Sequence, residues 1–193
     1  MTKSELRKIY LAKQKSLSDA ERNEKSRRLA AVFYENFNLE NIRFLHVFIG
    51  IEKNREVETS FVYKRLWRDL LQITTVAARI DFQTMALENR RFAAETKLVR
   101  NRWEIDEPAD GELIETDEID AVLVPLLCFD ERGYRVGYGK GFYDKFLGEC
   151  RTDCLKIGLS YFAPVAEICD AREYDVKLDC CITPEEIFDW RKQ

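Results

Sequence analysis

Gly137, Gly139 and Gly141 recur at every second position of 133-GYRVGYGKGFYDKFL-147, with Arg135 ahead of them, Lys140 between the last two and Asp144 just behind. Glycine tolerates positive φ and leaves its amide N–H uncovered by a Cβ, so a ligand can come close to the main chain. Bare amides at the start of a helix make an anion cradle, reinforced by the positive end of the helix dipole. Arg135 and Lys140 bring full charges suited to phosphate oxygens. Asp144, in the first turn of the helix, stands where a carboxylate can hold the magnesium ion that accompanies a nucleotide. The competing reading is a plain turn with a solvated lysine. The run is neither GxxxxGK[ST] nor GxGxxG, so neither phosphate fingerprint decides between the two. Tyr138, flanked by glycines, is expected to be accessible; Phe142 and Phe146, four residues apart, fit a core-facing helix stripe.

A cradle of this kind works where a strand ends and a helix begins. The segment 119-IDAVLVPLL-127 is the most apolar of the chain and reads as that strand, with a helix around 142-FYDKFL-147. Upstream, Leu6, Ile9 and Tyr10 fall at helical spacing, and Lys3 and Arg7 share another face one turn apart. Ser18 and Glu21 form a capping box for a second helix, and Thr59 or Ser60 caps a third. Further strands are expected at 43-RFLHVFIG-50, 73-ITTVAA-78, 83-QTMAL-87, 155-LKIGL-159 and 180-CCIT-183. Residues 90–118 read as charged and irregular, with a turn at 107-EPADG-111 and Trp103 and Ile105 packed down. Strands alternating with helices imply an α/β fold with a largely parallel sheet covered on both faces, in one domain over 1–193.

Charged residues make up 34% and the net charge is −4, which argues against a general nucleic-acid binder. No stretch approaches the ~20 apolar residues of a membrane span, and the charged N-terminus does not read as a signal peptide. The six cysteines include no CxxC, and the single histidine, His46, is remote from them. They read as reduced thiols of a cytoplasmic protein, with Cys180 and Cys181 on opposite faces of a strand. His46, in an apolar run, reads as a hydrogen-bonded core residue.

The segment 124-VPLLCFDERGYRVGYGKGFYDKFL-147 resembles the signature of the 5-formyltetrahydrofolate cyclo-ligase family, also called methenyltetrahydrofolate synthetases. Four further stretches resemble family motifs in the right order: 3-KSELR-7, 56-EVET-59, 103-WEIDEP-108 and 173-EYDVKLD-179. This chain departs from the pattern where Lys140 replaces a frequent glycine, Phe142 a usual tyrosine, and Ala78 the proline of a Pro-Arg pair.

The resemblance implies a three-layer α/β/α sandwich that uses ATP and Mg2+ to close 5-formyltetrahydrofolate to 5,10-methenyltetrahydrofolate, releasing ADP and phosphate. It implies that Lys3 and Arg7 touch ATP phosphates and that Arg135, Val136, Gly137, Tyr138, Gly139, Lys140, Gly141, Phe142 and Tyr143 wrap the nucleotide. Tyr138 to Phe142 would also border the folate, Glu56 would hold its pterin end, and Ile49 or Ile51 would line that end. Arg135 and Lys140 would act on the transferring phosphoryl group, with Asp144 and Asp175 as magnesium ligands. Each has a plainer alternative: a solvated helix face for Lys3 and Arg7, a surface charge for Glu56, a turn boundary for Asp175. The expected partners are small molecules, reduced folate and ATP, with no nucleic acid or membrane; the expected state is a monomer.

Overall fold

Two capping boxes start the chain. Thr2 and Glu5 exchange hydrogen bonds at the head of α1 (Lys3–Lys15), and Ser18 and Glu21 do the same for α2 (Asp19–Asn36). The computed structural model describes residues 1–191. Strand β1 (Phe44–Val47) follows, then α3 (Ser60–Asp69), β2 (Thr74–Asp81) and β3 (Ala86–Arg91). A small hairpin, β4 (Leu98–Arg100) with β5 (Asp106–Pro108), precedes β6 (Ala121–Pro125). The short pair β7 (Cys128–Phe129) and β8 (Arg135–Val136) leads into α4 (Phe142–Glu149). Strands β9 (Leu155–Leu159), β10 (Cys180–Ile182) and β11 (Ile187–Asp189) close the order.

The main sheet runs β11-β10-β9-β6-β1-β2-β3. All its pairings from β10 to β2 are parallel, and β3 and β11 flank them as antiparallel edges. The period-2 alternation of strands divides the core. Leu45, Val47, Leu123 and Ile157 face Leu29 and Phe33 of α2 and Val62 and Leu66 of α3. Phe44, Val122, Val124 and Cys181 face Phe146 and Leu147 of α4. Cys180 and Cys181 thus fall in different layers, as the strand reading required. A third cluster packs Leu6 and Tyr10 of α1 onto Leu127, Cys128 and Val136. The α/β/α layering expected from the sequence is present.

Local readings changed in three places. The second arm of the outer β pair lies at 86–91, not 83–87, because 82–85 makes the turn. The "irregular" middle contains the β4–β5 hairpin, whose first strand is wholly exposed and so lacks any apolar alternation. Thr59 occupies the N-cap of α3 without capping it; its hydroxyl donates to the Phe48 carbonyl and ties α3 to the end of β1.

Between β1 and β6 the chain order reverses, since β1 pairs with β2 on one side and β6 on the other. A crevice at the carboxyl ends of strands is expected at such a point.

Candidate functional site

A cavity of about 850 Å3 occupies that crevice. Phe48 and Ile49 beyond β1, Ala78 and Ile80 on β2 and Pro125 at the end of β6 form its floor. The glycine loop joining β8 to α4 lies along one side. Gly139 (φ 91) and Gly141 (φ 75) adopt the left-handed conformation that disfavours other residues, whereas Gly137 does not need it. A Cβ placed on Gly137 or Gly141 would meet nothing within 4 Å, so here bare main chain faces open space. Gly141 also caps α4 without a side chain, leaving the first-turn amides of that helix without a local acceptor.

Four cations gather at this side. Arg7 Nε donates to the Gly137 carbonyl at 2.9 Å and lies 3.2 Å from where a Gly139 Cβ would stand. Lys3 Nζ pairs with Asp175 at 2.5 Å, while its backbone N–H donates to Asp170 Oδ1 at 2.6 Å. Met1 adds a third tie to this region, its carbonyl accepting from the Cys169 N–H at 3.0 Å. Arg135 is buried and donates to Asp144 at 2.7 Å and to the Val176 carbonyl. Burial lowers its pKa below the usual arginine value, opposed by the negative charges of Asp144 and Asp175. Lys140 Nζ rests 4.9 Å from the centre of the Trp103 ring.

Asp144 by direct contact and Asp175 by its charge thus both act on the Arg135 guanidinium. Among the described residues no group of three or more acidic, histidine or cysteine side chains gathers to hold a metal. Two carboxylates suit Mg2+, which takes one or two protein carboxylates and fills its shell with water and phosphate oxygens. The residues present fit that ion on those terms.

The far end of the cavity is built differently. A single 3-10 turn, Glu52–Asn54, ends at Arg55 in the left-handed conformation (φ 52), which turns the chain inward. Glu56 follows with only 4% of its surface exposed, contrary to the surface charge its neighbours suggest. Its carboxylate accepts from the Ile51 N–H at 3.1 Å. Burial raises its pKa from 4.5 to about 7, against hydrogen bonds from Ile51, Tyr138 and Asn54 that favour the anion. Tyr138 is half-buried rather than freely accessible: its hydroxyl accepts from Gln14 Nε2 at 2.8 Å and bonds Glu56. Gln14 also donates to the Asn54 carbonyl at 2.7 Å, tying α1 to the turn that carries Glu56.

Trp103, at the tip of the β4–β5 hairpin, forms the remaining wall. Its ring lies 5.0 Å from Phe82 and 5.8 Å from Phe142, and Lys53 Nζ holds its carbonyl at 3.0 Å.

All the candidate residues named from the sequence line this cavity except Val136 and Asp175. The Val136 side chain points into the α1 cluster, and Asp175 sits behind Lys3. Ile49 and Ile51 both line the cavity. Gln14, Lys53 and Trp103 had not been assigned roles; of these only Trp103 carried a signal, inside 103-WEIDEP-108. His46 is fully buried but not hydrogen-bonded: both ring nitrogens lack a partner. It packs 4.8 Å from Phe146 and 5.9 Å from Tyr143, and burial lowers its pKa to about 3, keeping it neutral.

Comparison with known proteins identifies the family of the chain. Residues 1–184 match the profile described as the 5-formyltetrahydrofolate cyclo-ligase family. The chain is 27% identical over 138 residues to the 5-formyltetrahydrofolate cyclo-ligase of Escherichia coli strain K12, covering 70% of this chain and 75% of that protein. It is 24% identical over 176 residues to the enzyme of the same name from Mus musculus, covering 86% and 85%. The NMR structure of the 5,10-methenyltetrahydrofolate synthetase of Aquifex aeolicus superposes with a TM-score of 0.82 at 25% identity, covering 98% of this chain and 93% of that one.

Proposed function

The chain belongs to the 5-formyltetrahydrofolate cyclo-ligase family, and from that premise we propose how its residues bring about the ring closure. It is a ligase of folate metabolism that converts 5-formyltetrahydrofolate to 5,10-methenyltetrahydrofolate. In our reading ATP drives the reaction with Mg2+ present, and the enzyme works as a one-domain monomer in the cytoplasm.

The formyl oxygen is a poor leaving group. Attack by that oxygen on the γ-phosphorus of ATP releases ADP and leaves a formyl carbon bearing a phosphate. N10 then adds to that carbon, loses its proton, and phosphate departs with the C–O bonding pair, leaving the methenyl bridge. The protein's part is alignment and charge neutralisation, without a covalent nucleophile.

Lys3, Arg7 and Lys140, with the amides of Gly139 to Tyr143, surround the triphosphate. Arg135 is already committed to Asp144 and Val176, so it acts by fixing the loop and adding positive charge beneath it. Asp144 and Asp175 would hold the Mg2+, which would offset charge on the phosphates. Glu56 accepts N–H donors from the pterin ring, a fitting task for a buried carboxylate that already accepts from the Ile51 N–H. Trp103, Phe142 and Ile49 enclose the apolar body of the folate.

One observation carries this reading: a single cavity joins the bare-glycine, cationic end to the buried Glu56 end. The test supplies 5-formyltetrahydrofolate, ATP and Mg2+, following methenyl absorbance and ADP together. Equimolar appearance of both supports the reading. ADP without methenyl product, or product without ATP, would overturn it.

A further inference from the structure

The cavity has a third end, beside β2, to which neither the phosphate nor the pterin has been assigned. Strand β2 runs on past Ala77, its last partner on β1, to Asp81, and the turn that follows puts Phe82 at the outer lip of the sheet. The β4–β5 hairpin is pinned over that lip. The Ile80 N–H donates to Glu107 Oε1 at 3.0 Å, and Arg79 Nη1 donates to the Ala109 carbonyl at 2.9 Å. Asn101 stiffens the hairpin tip: its Oδ1 accepts from the Trp103 and Ile105 N–H groups at 2.8 and 3.2 Å, and its Nδ2 donates to Glu107 at 2.7 Å. Arg102 lies between these fixed points. Its guanidinium carbon stands 3.9 Å from the centre of the Phe82 ring and 5.7 Å from that of Trp103, and the residue lines the cavity while exposed to solvent. Neighbouring cations of the rim are already paired, Lys53 with Glu104 at 2.7 Å and Arg100 with Asp106 at 3.0 Å. Arg102 has no carboxylate or carbonyl partner among the described residues, so its N–H donors are free.

We propose that Arg102 grips a carboxylate on the glutamate end of the folate, which makes it a specificity residue for the tail of the substrate rather than for its reacting centre. The inference rests on the reading that Glu56 holds the pterin. A folate is a rod, with the pterin at one end, an aminobenzoyl ring in the middle and a glutamate bearing two carboxylates at the other. With the pterin against Glu56 and the triphosphate beside α1 and the glycine loop, the course left for the rod runs along Ile80 and under Trp103 and comes out at Arg102. A planar guanidinium offers a carboxylate two parallel N–H donors. Contact with the rings of Phe82 and Trp103 holds the arginine in place beforehand, so it gives up less conformational freedom on meeting its ligand. A contact this far from the formyl group is made equally in the ground state and the transition state, so it acts on KM and leaves kcat alone.

The experiment compares two substrates with ATP and Mg2+ at fixed ionic strength: 5-formyltetrahydrofolate, and its diamide, in which both tail carboxylates are carboxamides. Arg102→Gln should raise KM for 5-formyltetrahydrofolate about tenfold, as expected for loss of a charge-assisted hydrogen bond, with kcat unchanged. The same variant should leave KM for the diamide where it was, and Arg102→Lys should recover part of the difference. In the unsubstituted protein the advantage of 5-formyltetrahydrofolate over the diamide should shrink as salt is added, because the contact is exposed. An equal rise in KM for both substrates would mean that Arg102 supports the wall and not the carboxylate, and would overturn the inference. No rise for either would overturn it too. Both of those results leave the ring-closure reading intact, since the unsubstituted protein still turns over 5-formyltetrahydrofolate; absence of that turnover would remove both readings together.

Discussion

Arg135 and Asp144 form an ion pair at 2.7 Å in which the arginine side chain keeps 4% of its exposure and the aspartate 43%. The asymmetry assigns different costs to the two partners. The aspartate can change ligands at the surface, whereas the buried guanidinium, once unpaired, keeps the Val176 carbonyl and the nearby charge of Asp175.

Asp144→Asn should therefore keep a hydrogen bond to Arg135 and lose about 1–2 kcal/mol of stability, while turnover falls at least a hundredfold. Arg135→Lys, which cannot span both acceptors, should cost more stability than Asp144→Asn. Urea melts beside kcat measurements check both. Parallel loss of stability and activity in Asp144→Asn would reduce the carboxylate to a structural role.

Glu56 gives a pH signature. Its carboxyl is raised from 4.5 to about 7, so the folded, ligand-free chain holds a proton there that the unfolded chain has lost. The stability this contributes is complete below pH 4.5 and disappears as pH rises through 7. Glu56→Gln should flatten that decline and raise the ligand-free melting temperature at pH 8 by several degrees, at roughly 2–4 °C per kcal/mol. The same change should raise KM for the folate tenfold or more. A variant destabilised at pH 8 would contradict the burial argument.

Lys140→Met removes the charge that the proposed function sets against phosphate but only a weak contact with Trp103, worth about 0.5–1 kcal/mol at an exposed site. The expected result is a KM for ATP about tenfold higher with a nearly unchanged melting temperature. ATP should also alter tryptophan emission in the unsubstituted protein, as the ammonium leaves the ring, and not in Lys140→Met. An unchanged KM removes Lys140 from the phosphate site.

Gly139→Ala and Gly141→Ala both force a Cβ onto a left-handed residue, costing about 1–2 kcal/mol each. At Gly139 the new atom also meets Arg7 at 3.2 Å; at Gly141 it enters open space. Nucleotide affinity, read by calorimetry, should fall in both. Unimpaired binding by Gly141→Ala would mean that the main chain there does not touch the ligand.

Which parts were readable from sequence follows from how local their causes are. The capping box at Ser18, the alternation through Cys180 and Cys181, and the glycine run each express themselves within a few residues. The Gln14–Tyr138–Glu56 network does not: Gln14 and Tyr138 are 124 positions apart, and nothing near either announces the other. The β4–β5 hairpin escaped because an exposed strand carries no buried face for a pattern to record. Glu56 looked like a surface charge because its flanking residues are charged; the left-handed turn at Arg55 that buries it has no glycine to mark it. His46 was read as hydrogen-bonded on the general habit of buried polar groups, and here aromatic packing takes that place.

The first helix docks against residues 168–175, through Met1, Lys3 and the Leu6 cluster. On a ribosome, α1 emerges long before the segment that receives it, and must wait without a berth until that segment is made. The end of the crevice beside Lys3 is accordingly one of the last features to close, and it is incomplete until Asp175 has been made.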